Sequence, residues 1–194
     1  MPADNRGRLL RAATRSFLRD GYRSSVDEIA RRAGVVKQTL YHHFPSKDAL
    51  FKEVANALTA RILVELEAGA ELRASLVGFG LAYRKRVLGA DGLAMFRTLT
   101  SEVPRFPALA RALYAGGAGE TVRRLAHVLE SAMQAGKLRR EDAQFAAETF
   151  LGMLAGHERV KRLYGVNGER EDEKKRVARI VDCFIAAFGG KKTS

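Results

Sequence analysis

The stretch Ser25-Val26-Asp27-Glu28-Ile29-Ala30-Arg31-Arg32-Ala33-Gly34-Val35-Val36-Lys37-Gln38-Thr39-Leu40-Tyr41-His42-His43-Phe44-Pro45-Ser46-Lys47 holds two short amphipathic segments on either side of a glycine. Ser25 followed three residues later by Glu28 fits a capping box, so the spacing predicts a helix start there. Val26, Ile29, Ala30 and Ala33 share one face at i, i+3, i+4 and i+7, while Asp27, Arg31 and Arg32 face away. Gly34 stands just past the last periodic residue, where the left-handed conformation open to glycine ends a helix and turns the chain. Val35 is placed to fill the corner. A second helix from Lys37 to Phe44 turns Leu40 and Phe44 inward at i, i+4 and leaves Lys37, Gln38, Thr39, Tyr41, His42 and His43 outside. The predicted unit is a helix-turn-helix.

The outward side chains of the second helix can nearly all hydrogen-bond, which suits the DNA major groove. That groove admits one α-helix and presents a different donor and acceptor pattern for each base pair. Gln38 is the candidate base reader, because its amide pairs in a bidentate way with adenine, and Lys37 offers donors to guanine or phosphate. Thr39 suits a thymine methyl or a phosphate. Tyr41 and His42 suit the sugar-phosphate backbone, which sets register without reading sequence. Lys47 opens the next helix, where free N–H groups already favour anions, and so suits a phosphate anchor. The same pattern also serves as a solvated helix pair in a protein-interaction adaptor, since the motif is a fold element before it is a function.

Read in order, Ser25 to Ala30, Ala33-Gly34-Val35, Thr39 to Phe44 and Ser46-Lys47-Asp48-Ala49-Leu50 closely resemble the DNA-binding domain of TetR/AcrR-family transcriptional regulators. Upstream, Leu9, Leu10, Ala13 and Phe17 followed by Gly21-Tyr22 look like that family's first helix and turn. The resemblance implies an all-α protein with an N-terminal three-helix domain and a larger C-terminal helical domain for ligand binding and dimerisation. It adds Ser25 and Val36 to the expected DNA-binding set. Two positions depart from the family pattern: Val36 stands where serine is frequent and Gln38 where glycine is frequent. Val36 lacks a hydroxyl to cap the recognition helix or bind phosphate, while Gln38 adds a base-reading group. An operator sequence therefore does not transfer from relatives.

Size and charge agree with this reading. A chain of 194 residues that is 46% hydrophobic with only 4 prolines can bury a core and form one small and one larger domain. Net charge is +12, which favours a polyanion. Residues 1–60 carry 11 Lys+Arg against 6 Asp+Glu, so the surplus there is +5 and the remaining +7 lies elsewhere. The motif rather than the charge locates the site. Arginines punctuate the first helix, so no secretory leader is expected. The apolar run Leu76 to Tyr83 is far too short for a bilayer. A single cysteine, Cys183, excludes an intrachain disulfide and fits a reducing cytoplasm, where an ordinary buried or half-buried thiol is expected.

Beyond the motif, Lys47 to about Ala68 reads as one long helix, with Leu50, Val54, Leu58, Ile62 and Leu66 four apart. Further helices are predicted at 72–88, 92–102, 107–115, 119–135, 141–164 and 171–188. Gly89-Ala-Asp-Gly92, Pro104, Pro107, Gly116-Gly117, Gly136 and Gly165-Val-Asn-Gly168 break them. The expected division is a helix-turn-helix domain over 1–48 and a regulatory and dimerisation domain over 49–190. The run Pro104-Arg-Phe-Pro107-Ala-Leu-Ala-Arg and the segment Ala146 to Gly156 are similar to the C-terminal domain of the AefR-like branch of the family.

Apolar stripes suggest where that second domain works. Val177, Ile180, Val181, Phe184 and Phe188 line the last helix. Phe145, Thr149, Gly152, Met153 and Gly156 line its predecessor, with two glycines that permit close approach. Paired between two copies, these faces make a four-helix bundle; the alternative is that they are intrachain core. Dimerisation has its own rationale, because one recognition helix discriminates by only about 1–3 kcal/mol per base pair. Phe79, Tyr83, Phe96, Leu99, Phe106, Met133 and Phe150 are candidate lining for an apolar ligand pocket, and His157 is its candidate polar handle. The same residues also suit plain core.

Enzyme motifs are missing. His157-Glu158 is followed by Lys161 where a zinc-protease helix needs histidine, no Cys-x-x-Cys exists, and Gly78-Phe-Gly80 lacks the third glycine of a dinucleotide loop. The expectation is a cytoplasmic, non-enzymatic regulator without metal or cofactor. Its partners are a double-stranded DNA operator, a second copy of itself and a hydrophobic small-molecule inducer that releases it as a repressor, with no membrane. A ligand-independent or activating relative of that kind is the near alternative.

Overall fold

The computed structural model describes residues 4–60, 71–105, 107–166 and 171–190. These residues form α-helices and one 3-10 turn, without a strand among them. Two compact units emerge: Met1–Thr59 with Ala94–Gly117, and Ala60–Leu93 with Ala118–Ser194.

In the first unit, α1 (Asn5–Asp20) starts where the Asp4 carboxylate accepts the Gly7 amide at 2.8 Å. Its arginines lie outward and Leu9, Ala13 and Phe17 inward. A 3-10 turn, η1 (Gly21–Arg23), opens on Gly21 at φ 70°. The helices α2 (Val26–Ala33), α3 (Lys37–His43) and α4 (Lys47–Ala60) follow. Phe17, Ile29, Leu40, Phe44, Leu50 and Phe51 are the large side chains of one core, to which Met95 of α6 (Ala90–Glu102) and Leu113 of α7 (Pro107–Gly116) belong. Phe17 meets Phe51 edge-on at 4.7 Å and Tyr22 stacks 6.3 Å away, so α1, η1 and α4 share one aromatic knot. The predicted long helix begins at Lys47 as expected. Its continuation over 61–68 lies outside the described residues.

The second unit packs α5 (Leu72–Val87), α8 (Ala118–Gln134), α9 (Ala143–Leu163) and α10 (Glu173–Phe188) around a single core. Asp142 and Asp172 cap α9 and α10 by accepting two backbone amides each. Phe150 meets Phe184 at 4.7 Å and Phe79 at 6.3 Å. Gly80 permits close packing: a Cβ there would sit 2.7 Å from Val177 Cγ1 and 3.1 Å from Leu154 Cδ2, so those side chains would have to shift. The Arg84 guanidinium is buried, with 3% of its side chain exposed. It donates to both carboxylate oxygens of Glu173 at 2.8 and 3.1 Å and to the Leu154 carbonyl. Arg162 joins Glu158 and Glu173, which places the charges of α5, α9 and α10 in one network. The Arg84 guanidinium holds the Glu173 carboxyl below its ordinary range.

On α10, Val177, Val181, Phe184 and Phe188 are buried in their own chain's core, the packing named above as the alternative to a subunit contact. Helical periodicity marks a covered face without saying what covers it. Cys183, expected buried or half-buried, is exposed. It precedes Phe184 by one residue, and the 3.6-residue turn carries it off the buried face.

Candidate nucleic-acid interface

The turn between α2 and α3 sets the whole site. Gly34 takes φ 67° and ψ 37°, its amide donates to Arg31 O at 3.0 Å, and the Val35 amide reaches Ala30 O at 3.1 Å. This is a Schellman stop, with Ala30 buried and Val35 packed against the same core. Leu40 and Phe44 anchor α3 in the core as read from the sequence. Lys37, Gln38, Tyr41 and His42 are therefore turned to solvent, and Thr39 and His43 are half-buried at the edge.

The start of α2 departs from the capping box. Ser25 is the N-cap residue, but its side chain makes no cap hydrogen bond. Glu28 is engaged elsewhere: its carboxylate accepts from Arg31 at 2.8 and 2.9 Å and from Arg32 at 2.7 Å. Two guanidiniums one turn away outcompete a backbone amide for the same oxygens. They hold the Glu28 carboxyl at about 2, first through the bond from Arg31 and then through that from Arg32. Because this folded value lies below the ordinary carboxylate range, the unfolded chain binds more protons between the two. The contribution is present above about pH 4.3 and is lost as pH falls toward 2. Thermal melts through that window should fall less steeply for Glu28→Gln than for the native chain. Equal slopes would show that the pair contributes nothing.

The remaining site residues fall on the same unit. Val36 is the N-cap residue of α3, 68% exposed and without a side-chain cap, as its lack of a hydroxyl requires. Ser46 caps α4 by accepting the Ala49 amide at 3.0 Å, which fixes Lys47 in the first turn. The Lys47 ammonium lies 4.5 Å from the centre of the Tyr22 ring, and the Tyr22 hydroxyl donates to Asp48. The sequence reading missed one partner: Asp27, noted only as outward, lies 3.1 Å from the Lys37 ammonium. Ten residues apart on different helices, the two are joined only by the helix crossing, which periodicity does not encode.

The residues considered for a ligand pocket divide between the units. Phe79, Tyr83, Met133 and Phe150 belong to the second, where Phe79 and Phe150 are fully buried and Tyr83 stacks on Phe79 at 5.7 Å. Burial pushes the Tyr83 hydroxyl up, against the opposing pull of Arg159. His157 is exposed. Phe96 and Leu99 belong to the first unit, Leu99 packing on its core, and Phe106 lies outside the described residues. Of the α9 residues considered for a subunit contact, Phe145, Gly152, Met153 and Gly156 are exposed and Thr149 is half-buried; Ile180 of α10 is half-buried too. A Cβ at Gly152 or Gly156 would meet no atom within 4 Å. Among the described residues no helix is long and apolar enough to cross a membrane.

Comparison with known proteins adds to this geometry. Residues 9–54 match the model of the TetR family of bacterial regulatory proteins, and residues 74–190 match that of the AefR-like transcriptional repressor C-terminal domain. The transcriptional activator FasR of Mycolicibacterium smegmatis is 50% identical over 56 residues, 28% of this chain and 26% of FasR. The chain spans about half the length of the other curated relatives it matches. Among solved structures, the flavonoid-responsive regulator FrrA is 32% identical with a TM-score of 0.76, covering 96% of this chain and 98% of FrrA. A TetR-family regulator from Mesorhizobium loti is 25% identical with a TM-score of 0.81, covering 96% and 98%.

Proposed function

Because this chain belongs to the TetR family of bacterial regulatory proteins, we propose that it is a transcriptional regulator that binds a near-palindromic DNA operator as a homodimer. The observation that carries the reading is the division of α3: Leu40 is fully buried while Lys37, Gln38, Tyr41 and His42 all face solvent from one seven-residue helix. A short helix held from beneath by one leucine is free to enter the major groove with its polar side foremost. Gln38 reads a base edge, Lys37 and Thr39 work beside it, and Ser25, Val36, Tyr41, His42 and Lys47 set register against the backbone. Two copies spaced by one DNA turn, about 34 Å, supply the discrimination that one lacks. The exposed α9 face with Phe145, Gly152, Met153 and Gly156 is the part of the expected contact set with surface to offer a partner.

The regulatory reading is repression, supported by the AefR-like repressor match over most of the C-terminal part. FasR, an activator, is matched over only 56 residues and argues the alternative less strongly. The inducer class is a small, largely apolar molecule, and FrrA's response to flavonoids supports an aromatic one. Ligand binding favours a conformation in which the recognition helices leave their DNA spacing, so affinity drops by population shift. The helix-turn-helix over residues 1–48 reads DNA, and the part that senses and dimerises lies within residues 49–190, of which 49–59 and 94–117 pack with the DNA-reading unit.

Selection of binding sites from random duplex DNA by the purified chain tests this directly. A two-fold symmetric consensus is the expected result; no enrichment, or a single unpaired half-site, defeats the reading. Repeating the selection with Gln38→Ala should relax preference at one position in each half-site, at a cost of about 1–3 kcal/mol for the matched base pair. An unaltered consensus removes Gln38 from the readers.

A further inference from the structure

Asp27 is an acidic residue in the first turn of α2, and its carboxylate lies 3.1 Å from the ammonium of Lys37, the first residue of α3. Both side chains are exposed, so the pair is open to solvent and to an approaching polyanion. The neighbouring acid, Glu28, is occupied by Arg31 and Arg32 on its own helix. Asp27 alone among these acids reaches across to the recognition helix. Its position matters because a lysine counts toward DNA affinity only when its charge replaces condensed counterions at a phosphate.

We propose that Asp27 competes with the DNA backbone for the Lys37 ammonium and so sets the sequence-independent affinity of the protein. The inference rests on the DNA-binding reading above and deepens it. In a complex held only by phosphate contacts, Lys37 remains with Asp27 and adds little. Removing the carboxylate's charge releases one cation per subunit at the front of α3, where a polyanion approaches. A carboxylate acting only by general repulsion would behave differently, because its removal would strengthen binding whether or not Lys37 were present.

The test measures binding of the full-length protein to a random-sequence duplex over a salt series, for the native chain, Asp27→Asn, Lys37→Met and the double variant, with thermal melts to confirm folding. Asp27→Asn should bind more tightly and steepen the slope of log affinity against log salt by about 1 per bound subunit. The double variant should bind no more tightly than Lys37→Met. An unchanged slope for Asp27→Asn, weaker binding by it, or a gain that persists without Lys37 overturns the role of Asp27. Absence of any binding by the native chain at low salt defeats the DNA-binding reading itself, a different result from each of these.

Discussion

Phe150→Ala will lower the stability of the protein by about 3–5 kcal/mol, the usual result of deleting a buried aromatic ring and leaving its cavity. The ring is fully buried, lies 4.7 Å from Phe184 and 6.3 Å from Phe79, and so sits where α5, α9 and α10 converge. Domains are stable by only about 5–15 kcal/mol, so the loss is a large fraction of the whole. Equilibrium urea unfolding should show the midpoint falling at unchanged m, with Phe150→Leu falling less. The experiment also decides between two roles. A ring whose main work is packing costs stability when removed; a ring that mainly touches ligand leaves the midpoint nearly in place, and a shift below about 1 kcal/mol would count against the packing role.

Gly34→Val is the second large effect, and it falls on the DNA side. At φ 67° and ψ 37° a Cβ is opposed by the backbone itself, at about 1–2 kcal/mol, and valine's branching adds to that. The new Cβ would also lie 2.3 Å from the Arg8 Nη2, which must give up its contact with the Gly34 carbonyl. We expect a destabilisation of about 2 kcal/mol or more together with loss of DNA binding, because the stop that aims α3 is the part disturbed. Gly34→Asn, which tolerates the left-handed region, should retain most of both. Denaturation and duplex-binding assays on the two variants check this; a valine variant that melts and binds like the native chain would mean that the turn does not orient α3.

The same residue shows why so much of the helix-turn-helix was readable. Gly34 is a local constraint, and Leu40 with Phe44 follows a local period, so neither needs knowledge of the rest of the fold. The helix limits further on behaved alike: α9 was expected over 141–164 and runs Ala143–Leu163, bounded by the Asp142 cap and the glycine after Tyr164. What escaped depended on choosing between partners. Glu28 had both a backbone amide and two arginines within reach, and the sequence does not rank them. The stripe on α10 was real, yet Val177 and Phe184 face their own core, because period alone does not distinguish one chain's interior from the seam between two. Nor does any periodicity in α6 and α7 announce that Met95 and Leu113 pack with Leu9 and Phe17. The Asp27 and Lys37 pair belongs to this class, since it exists only once two helices have crossed.

Arg84 sets a condition on how the second unit can rearrange. Its charge is satisfied jointly by a carbonyl within α9 and a carboxylate at the start of α10. Sliding α5 by a single turn would part that buried cation from both partners. Slippage between these three helices therefore costs the pairing of a charge, a cost that a tilt of all three together avoids.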